Sequence, residues 1–168
     1  MNDLSWMKVA KAYLGEREIK GDKDNPAIVE LFNLSGHPEV KDDETAWCAA
    51  FVGGVMAKAG LSGSGMLNAR SYETWGQALP LNSPVYGCVG VKKRQGGQAW
   101  QGHVGFVVGA SASQIIMLGG NQGDSVSVAA FPRADFTAFR YPSKIALPKI
   151  AYPLPSSVAG ALRSSTEA

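Results

Sequence analysis

Cys48 is the residue whose type and setting could do chemistry. It follows Asp42-Asp43-Glu44-Thr45-Ala46-Trp47, an acidic run that gives way to apolar positions at Phe51, Val52, Val55, Met56 and Ala59. That spacing is one face of a helix. Thr45 or Asp43 is a natural N-cap, which puts Cys48 in the first turn. There the unpaired N–H groups and the helix dipole favour a thiolate over a thiol. A cysteine so placed, with a histidine and an asparagine further along, makes a nucleophile with its base and orienter. The plainer alternative is a small core residue, since free cysteine is often buried.

The chain has two histidines, His37 and His103, and His103 opens a strand-like run. Asn121 follows the next run, after Leu118-Gly119-Gly120. If 110–114 is a hairpin turn centred on residue 112, cross-strand partners have numbers summing to about 224. His103 and Asn121 then stand side by side at the end of the sheet away from the turn. Gly102 and Gly105 leave room around His103. A bulge near the glycines would shift the pairing by one residue and offer Gln122 instead. Taken singly, His103 could be a polar strand end and Asn121 a turn residue. Together with Cys48 they supply a thiolate, an imidazole to take and return the proton, and an amide to hold the imidazole tautomer.

Length and composition narrow the classes. At 168 residues the chain is one domain with a core that needs no metal or disulfide staples. No run approaches a membrane span, so membrane insertion is not expected. The first residues lack a basic then apolar signal pattern. Two cysteines, Cys48 and Cys88, do not make a disulfide framework, and no CxxC or HExxH spacing is present. Neither a metal nor another cofactor is expected. Residues 1–46 carry 6 Lys/Arg and 10 Asp/Glu, and residues 47–168 carry 10 and 4. The basic main part fits an anionic polymer. Outside Lys92-Lys93-Arg94 the basic residues are scattered without aromatic interleaving, which argues against nucleic acid. Most of these charges read as solvated surface.

Residues 3–15 are amphipathic and end at Gly15. Asn25-Pro26 opens a second helix with Asn25 as cap and Pro26 at its first position. The Cys48 helix runs to about Gly60, and a short helical piece is expected around 71–79. Strand-like runs follow at 85–91, 103–110, 113–118, 125–131 and 136–141. Helices followed by a meander of strands predict an α+β domain, with N-terminal helices packed on a largely antiparallel sheet. The domain is expected to span 1–141. Residues 142–168, rich in Pro and Ser, read as an extension that is mobile in its last part.

Five segments resemble the phage- and prophage-associated branch of the CHAP and NlpC/P60 superfamily of papain-like cysteine hydrolases. Gly15-Glu16-Arg17-Glu18-Ile19-Lys20-Gly21 with Asn25-Pro26 is similar to its opening motif. Residues 42–52 resemble its nucleophile segment, and Leu67-Asn68-Ala69-Arg70-Ser71 a mid-chain piece. Gly102-His103-Val104-Gly105-Phe106 and Leu118-Gly119-Gly120-Asn121-Gln122-Gly123-Asp124 resemble its histidine and asparagine strands. One departure is Gly87-Cys88, where the family usually has Gly-Asp; Cys88 reads as a small apolar strand residue, unpaired with Cys48. The resemblance implies a papain-like fold and cleavage of amide bonds in the peptide stems of bacterial peptidoglycan, as amidase or endopeptidase. It makes Cys48 the nucleophile, His103 the base and Asn121 the orienting residue. Trp47 would wall the cleft, and Glu18, Asp43, Glu44 and Gln122 are candidates for contacting substrate. For Asp43 and Glu44, capping and dipole complementarity is the stronger alternative. A monomeric phage or prophage endolysin is the first expectation, made in the cytoplasm and acting on the wall after release. A toxin delivered by a secretion system, with an immunity protein as partner, is the second. A wall-binding module without turnover and a protease acting on proteins are further alternatives.

Overall fold

The structure is a computed structural model that describes residues 3–19, 24–40, 47–94, 96–98, 101–148 and 154–163. Among the described residues three α-helices come first: α1 (Ser5–Ala12), α2 (Pro26–Leu34) and α3 (Cys48–Lys58). α1 buries Trp6, Met7 and Ala10 and ties itself to the sheet through Trp6 Nε1, which donates to the Gly87 carbonyl at 2.8 Å. α2 starts where Asn25-Pro26 predicts, with the Asn25 side chain accepting from the Ala27 N–H at 2.9 Å. Residues Cys48 to Met56 of α3 are all buried, so this helix is central and apolar all round. Gly54 lets α2 come close. A Cβ there would lie 2.7 Å from Leu31 Cδ2 and 3.2 Å from the Leu31 Cα.

Seven strands follow: β1 (Gln77–Leu79), β2 (Val89–Lys93), β3 (Gly102–Ala110), β4 (Gln114–Gly119), β5 (Ser127–Pro132), β6 (Phe136–Tyr141) and β7 (Leu162–Arg163). They form one sheet in the order β1-β6-β2-β3-β4-β5-β7. All pairs are antiparallel except β5 with β7, which is parallel. The molecule is therefore a mixed α+β arrangement with a largely antiparallel sheet. Next to the turn the β3–β4 pairs are Ala110↔Ile115 and Gly109↔Ile116, one residue off a turn centred on 112, and the irregularity between Val107 and Gly109 then brings Val107↔Met117 and Phe106↔Leu118 to the expected register. α3 packs on one face, with the Phe51 ring 6.0 Å from Phe106.

Two parts differ from expectation. The helical piece near 71–79 is a 3-10 helix, Ala69–Thr74, followed by strand β1. Gly76, at φ 66°, turns the chain between them, and Arg140 fixes the turn by donating to the Trp75 and Gly76 carbonyls. In the Pro/Ser-rich extension, the Ala110 N–H donates to the Pro155 carbonyl at 2.9 Å, and β7 adds a strand beside β5. Cys48 and Cys88 are both free and buried.

Two predictions follow from this packing. Gly54→Ala should cost about 1–3 kcal/mol, read as a lower denaturant midpoint, because α2 and α3 must move apart. Burial pushes the Cys88 thiol from 9.0 up to about 12. The unfolded chain releases that proton earlier, so stability is lost as pH rises through the interval between those values. A Cys88→Ala variant should show a flatter alkaline decline in its unfolding free energy.

Candidate active site

Cys48 is the first residue of α3. The residue before it, Trp47, closes the helix start without a side-chain cap, and the expected caps Thr45 and Asp43 lie outside the described residues. The first intrahelical bond runs from the Phe51 N–H to the Trp47 carbonyl. The N–H groups of the first turn are thus free of helical partners. Trp47 is fully buried, and its Nε1 donates to Glu18 Oε1 at 2.6 Å. Glu18 is placed by a short ladder along residues 124–126, with Glu18 N–H to Asp124 carbonyl and Val126 N–H to Glu16 carbonyl. On the sheet side, Gly120 has no room for a side chain: a Cβ would stand 2.7 Å from both Trp47 Cζ3 and Phe51 Cβ. Trp47 and Glu18 therefore hold each other and the Cys48 turn, and Trp47 has no free face with which to wall a cleft.

His103, the second residue of β3, is fully buried. Its Nε2 is 3.0 Å from the side-chain oxygen of Gln122, not of Asn121. The physical reason is that β4 leaves the ladder at Gly119. Asn121 then takes a left-handed backbone, φ 60°, so the simple register does not extend to it. Gln122 folds back over Gly119, whose missing side chain leaves space for the amide oxygen. The Gln122 NH2 group donates to the Met117 carbonyl at 3.2 Å and the Ser127 carbonyl at 2.8 Å. With both carbonyls demanding the NH2, only the oxygen can face the imidazole. His103 Nε2 must then carry the proton, which leaves Nδ1 with its lone pair as the basic nitrogen. Asn121 is buried at 3 % exposure, and its Oδ1 has no hydrogen-bond partner.

The thiol meets β3 through one backbone group. The Val104 N–H, adjacent to His103 in the chain, approaches the Cys48 sulfur and stabilises its charged form, as do the N–H groups of Ala49 and Cys48 and the charge of Arg94. Burial outweighs all of these and pushes the Cys48 thiol up. The expected thiolate at a helix N-terminus is thus overridden by burial, with Cys48 5 % exposed. Asp43 and Glu44 lie outside the described residues.

Some supporting residues escaped the sequence. The Arg70 side chain lies across Gly102, where a Cβ would come 2.6 Å from Arg70 Cδ. Arg70 Nε pairs with Glu73 at 2.9 Å, and Glu73 accepts from the Thr137 hydroxyl, which also reaches the Val91 carbonyl. This chain links the 3-10 helix to β2, β6 and the start of β3. Lys92, assigned to solvated surface by its charge, is fully buried opposite His103 in the β2–β3 register. Its ammonium donates to the Lys93 carbonyl and sits 5.2 Å from the Phe131 ring centroid. Strand alternation was the available signal, since Gly90, Lys92 and the partner His103 share one face.

No protein-family model matches the chain, and no curated protein is significantly similar to it. Among the described residues no group of three or more His, Cys, Asp or Glu side chains could hold a metal ion. No described helix is long and apolar enough to cross a membrane.

The raised thiol makes a direct prediction. Alkylation of Cys48 by iodoacetamide, followed by peptide mass spectrometry, should be slower at pH 7.5 than that of an unstructured cysteine peptide and should still be rising above pH 9. A reactivity plateau below pH 7 would instead mean a resting thiolate–imidazolium pair.

Proposed function

We propose that this chain hydrolyses amide bonds of the peptide stem of bacterial peptidoglycan, with Cys48 as nucleophile, His103 as base and Gln122 as the residue that orients it. The observation that carries the reading is the locked Gln122–His103 pair on the strand whose Val104 N–H meets the thiol at the start of α3. The substrate class comes from the resemblance of the five segments to papain-like wall hydrolases, and the helix-plus-antiparallel-sheet arrangement supports that fold.

In the reaction, His103 Nδ1 takes the Cys48 proton as sulfur attacks the amide carbonyl. The tetrahedral oxyanion meets N–H groups at the start of α3, including that of Cys48. Collapse breaks the C–N bond, and the proton on Nδ1 goes to the leaving amine. Water, deprotonated by His103, then cleaves the thioester and restores the thiol. Gln122 accepts the hydrogen bond from Nε2–H throughout, so the imidazolium is stabilised without a buried carboxylate. Burial raises the thiol at rest, so proton transfer to His103 belongs to the attack step and not to the resting state. A phage or prophage endolysin is the preferred setting, with a delivered antibacterial toxin second. The burial of Cys48 favours one further reading, a wall-binding module without turnover.

Purified protein and variants incubated with sacculi, with soluble products weighed by mass spectrometry, test this. Wild type should release stem fragments, and Cys48→Ala should release none. His103→Ala should lose ~10²–10⁴-fold in rate. Gln122→Ala should lose at least about tenfold, with Asn121→Ala closer to wild type, because only Gln122 fixes the tautomer. Whole stems would identify an amidase and cut stems an endopeptidase. Binding of sacculi without any release would replace hydrolysis by the wall-binding reading.

A further inference from the structure

Lys92 is a buried charge for which the proposed reaction has no use. Its Cα is the antiparallel partner of the His103 Cα in the β2–β3 register, so the two side chains leave the sheet side by side on one face. Both residues are fully buried. Phe131 of β5 lies against both. The Lys92 Nζ is 5.2 Å from its ring centroid, and the imidazole centroid is also 5.2 Å from it. Twice that distance, about 10.4 Å, is the farthest apart that the ammonium and the imidazole can be.

An ammonium held away from water acts on its neighbours with little screening. At an effective dielectric constant of about 20, a unit charge ~10 Å away opposes a second like charge by about one pH unit. We propose that Lys92 is a positioning residue of the candidate active site, whose buried ammonium keeps the His103 imidazole neutral. Gln122 settles which nitrogen carries the proton, and Lys92 opposes the arrival of a second one. The result is a base that stays available as the medium turns acidic. The inference rests on the wall-hydrolase reading for the use made of that base, not for the coupling of the two charges.

Other titratable groups stand on the elements around the start of β3. Cys48 on α3 is a neutral thiol, and Arg70 on the 3-10 helix is paired with Glu73. Lys93 is the next residue of β2 and is exposed on the other face, and Arg94 follows it. Asp124 belongs to the corner that carries Gln122, and Asp135 precedes Phe136, the β6 partner of Lys92. The two aspartates favour an imidazolium and the arginines oppose it. All of them stay in place when Lys92 alone is changed, so the comparison isolates its charge. Methionine suits the replacement, because it keeps an unbranched chain against Phe131 and removes the ammonium.

The test labels the histidine rings with ¹⁵N and follows them by NMR through a pH titration of the wild-type chain, Lys92→Met and Lys92→Gln. In each variant the His103 ring should become an imidazolium at a pH about one unit higher than in wild type. His37, whose ring meets Glu39 and the Gly65 carbonyl, should titrate alike in all three. A purely structural role for Lys92 would not move the His103 titration while the amide spectrum stays native. A shift below about half a unit in either folded variant would overturn the proposal, as would rings that stay neutral in every chain down to acid unfolding. In the sacculus assay, the acid limb of the rate should move up in Lys92→Met by the interval the titration gives. The titration needs no turnover, so a coupled but inactive chain would sink the hydrolase reading and leave the coupling standing.

Discussion

The contact on which the arrangement depends is the backbone of Gly120 lying flat against Trp47 and Phe51. It brings the end of β4 within van der Waals reach of the first turn of α3, which is only possible without a side chain at position 120. Trp47, anchored at its other end by Glu18, fixes where α3 begins, and Cys48 is the next residue. The same close approach ends the β4 ladder and turns the chain through Asn121, so that Gln122 comes back beneath His103. One steric fact thus sets both the position of Cys48 and which amide meets His103.

Electrostatically the site is a contest between desolvation and directed dipoles. N–H groups of Cys48, Ala49 and Val104 surround the sulfur, but the absence of water around a 5 %-exposed thiol is the larger effect. The imidazole is served differently. Gln122 supplies a neutral acceptor whose own NH2 is held by two carbonyls, which fixes tautomer and ring together without adding charge. Such a site holds a neutral thiol beside N–H groups that favour its charged form.

The layers around it are braced in ways that local sequence does not announce. Arg70 across Gly102, with Glu73 and Thr137 behind it, ties the beginning of β3 to three other elements. Lys92 occupies the face next to His103 with its ammonium over Phe131, in a place where a solvent-exposed lysine was the default. The contacts of Arg70 with Gly102 and of Lys92 with Phe131 each join residues more than thirty positions apart, so local sequence does not show them.

The sequence by itself determined the helix starts, because Asn25-Pro26 and the apolar spacing after Cys48 act within a few residues. It also placed the β3–β4 hairpin, although the register near the turn is one residue off and reaches the expected pairing only through the irregularity between Val107 and Gly109. From these came the approach of β3 to Cys48 at Val104 and of His103 to the 121–122 corner. Tertiary structure decided that Gln122 and not Asn121 meets the imidazole, since the choice hangs on where the strand breaks and which amide finds two spare carbonyls. It decided the protonation of Cys48 as well. A helix N-terminus is legible from local pattern, but the burial that overrides it is the sum of every neighbour that excludes water.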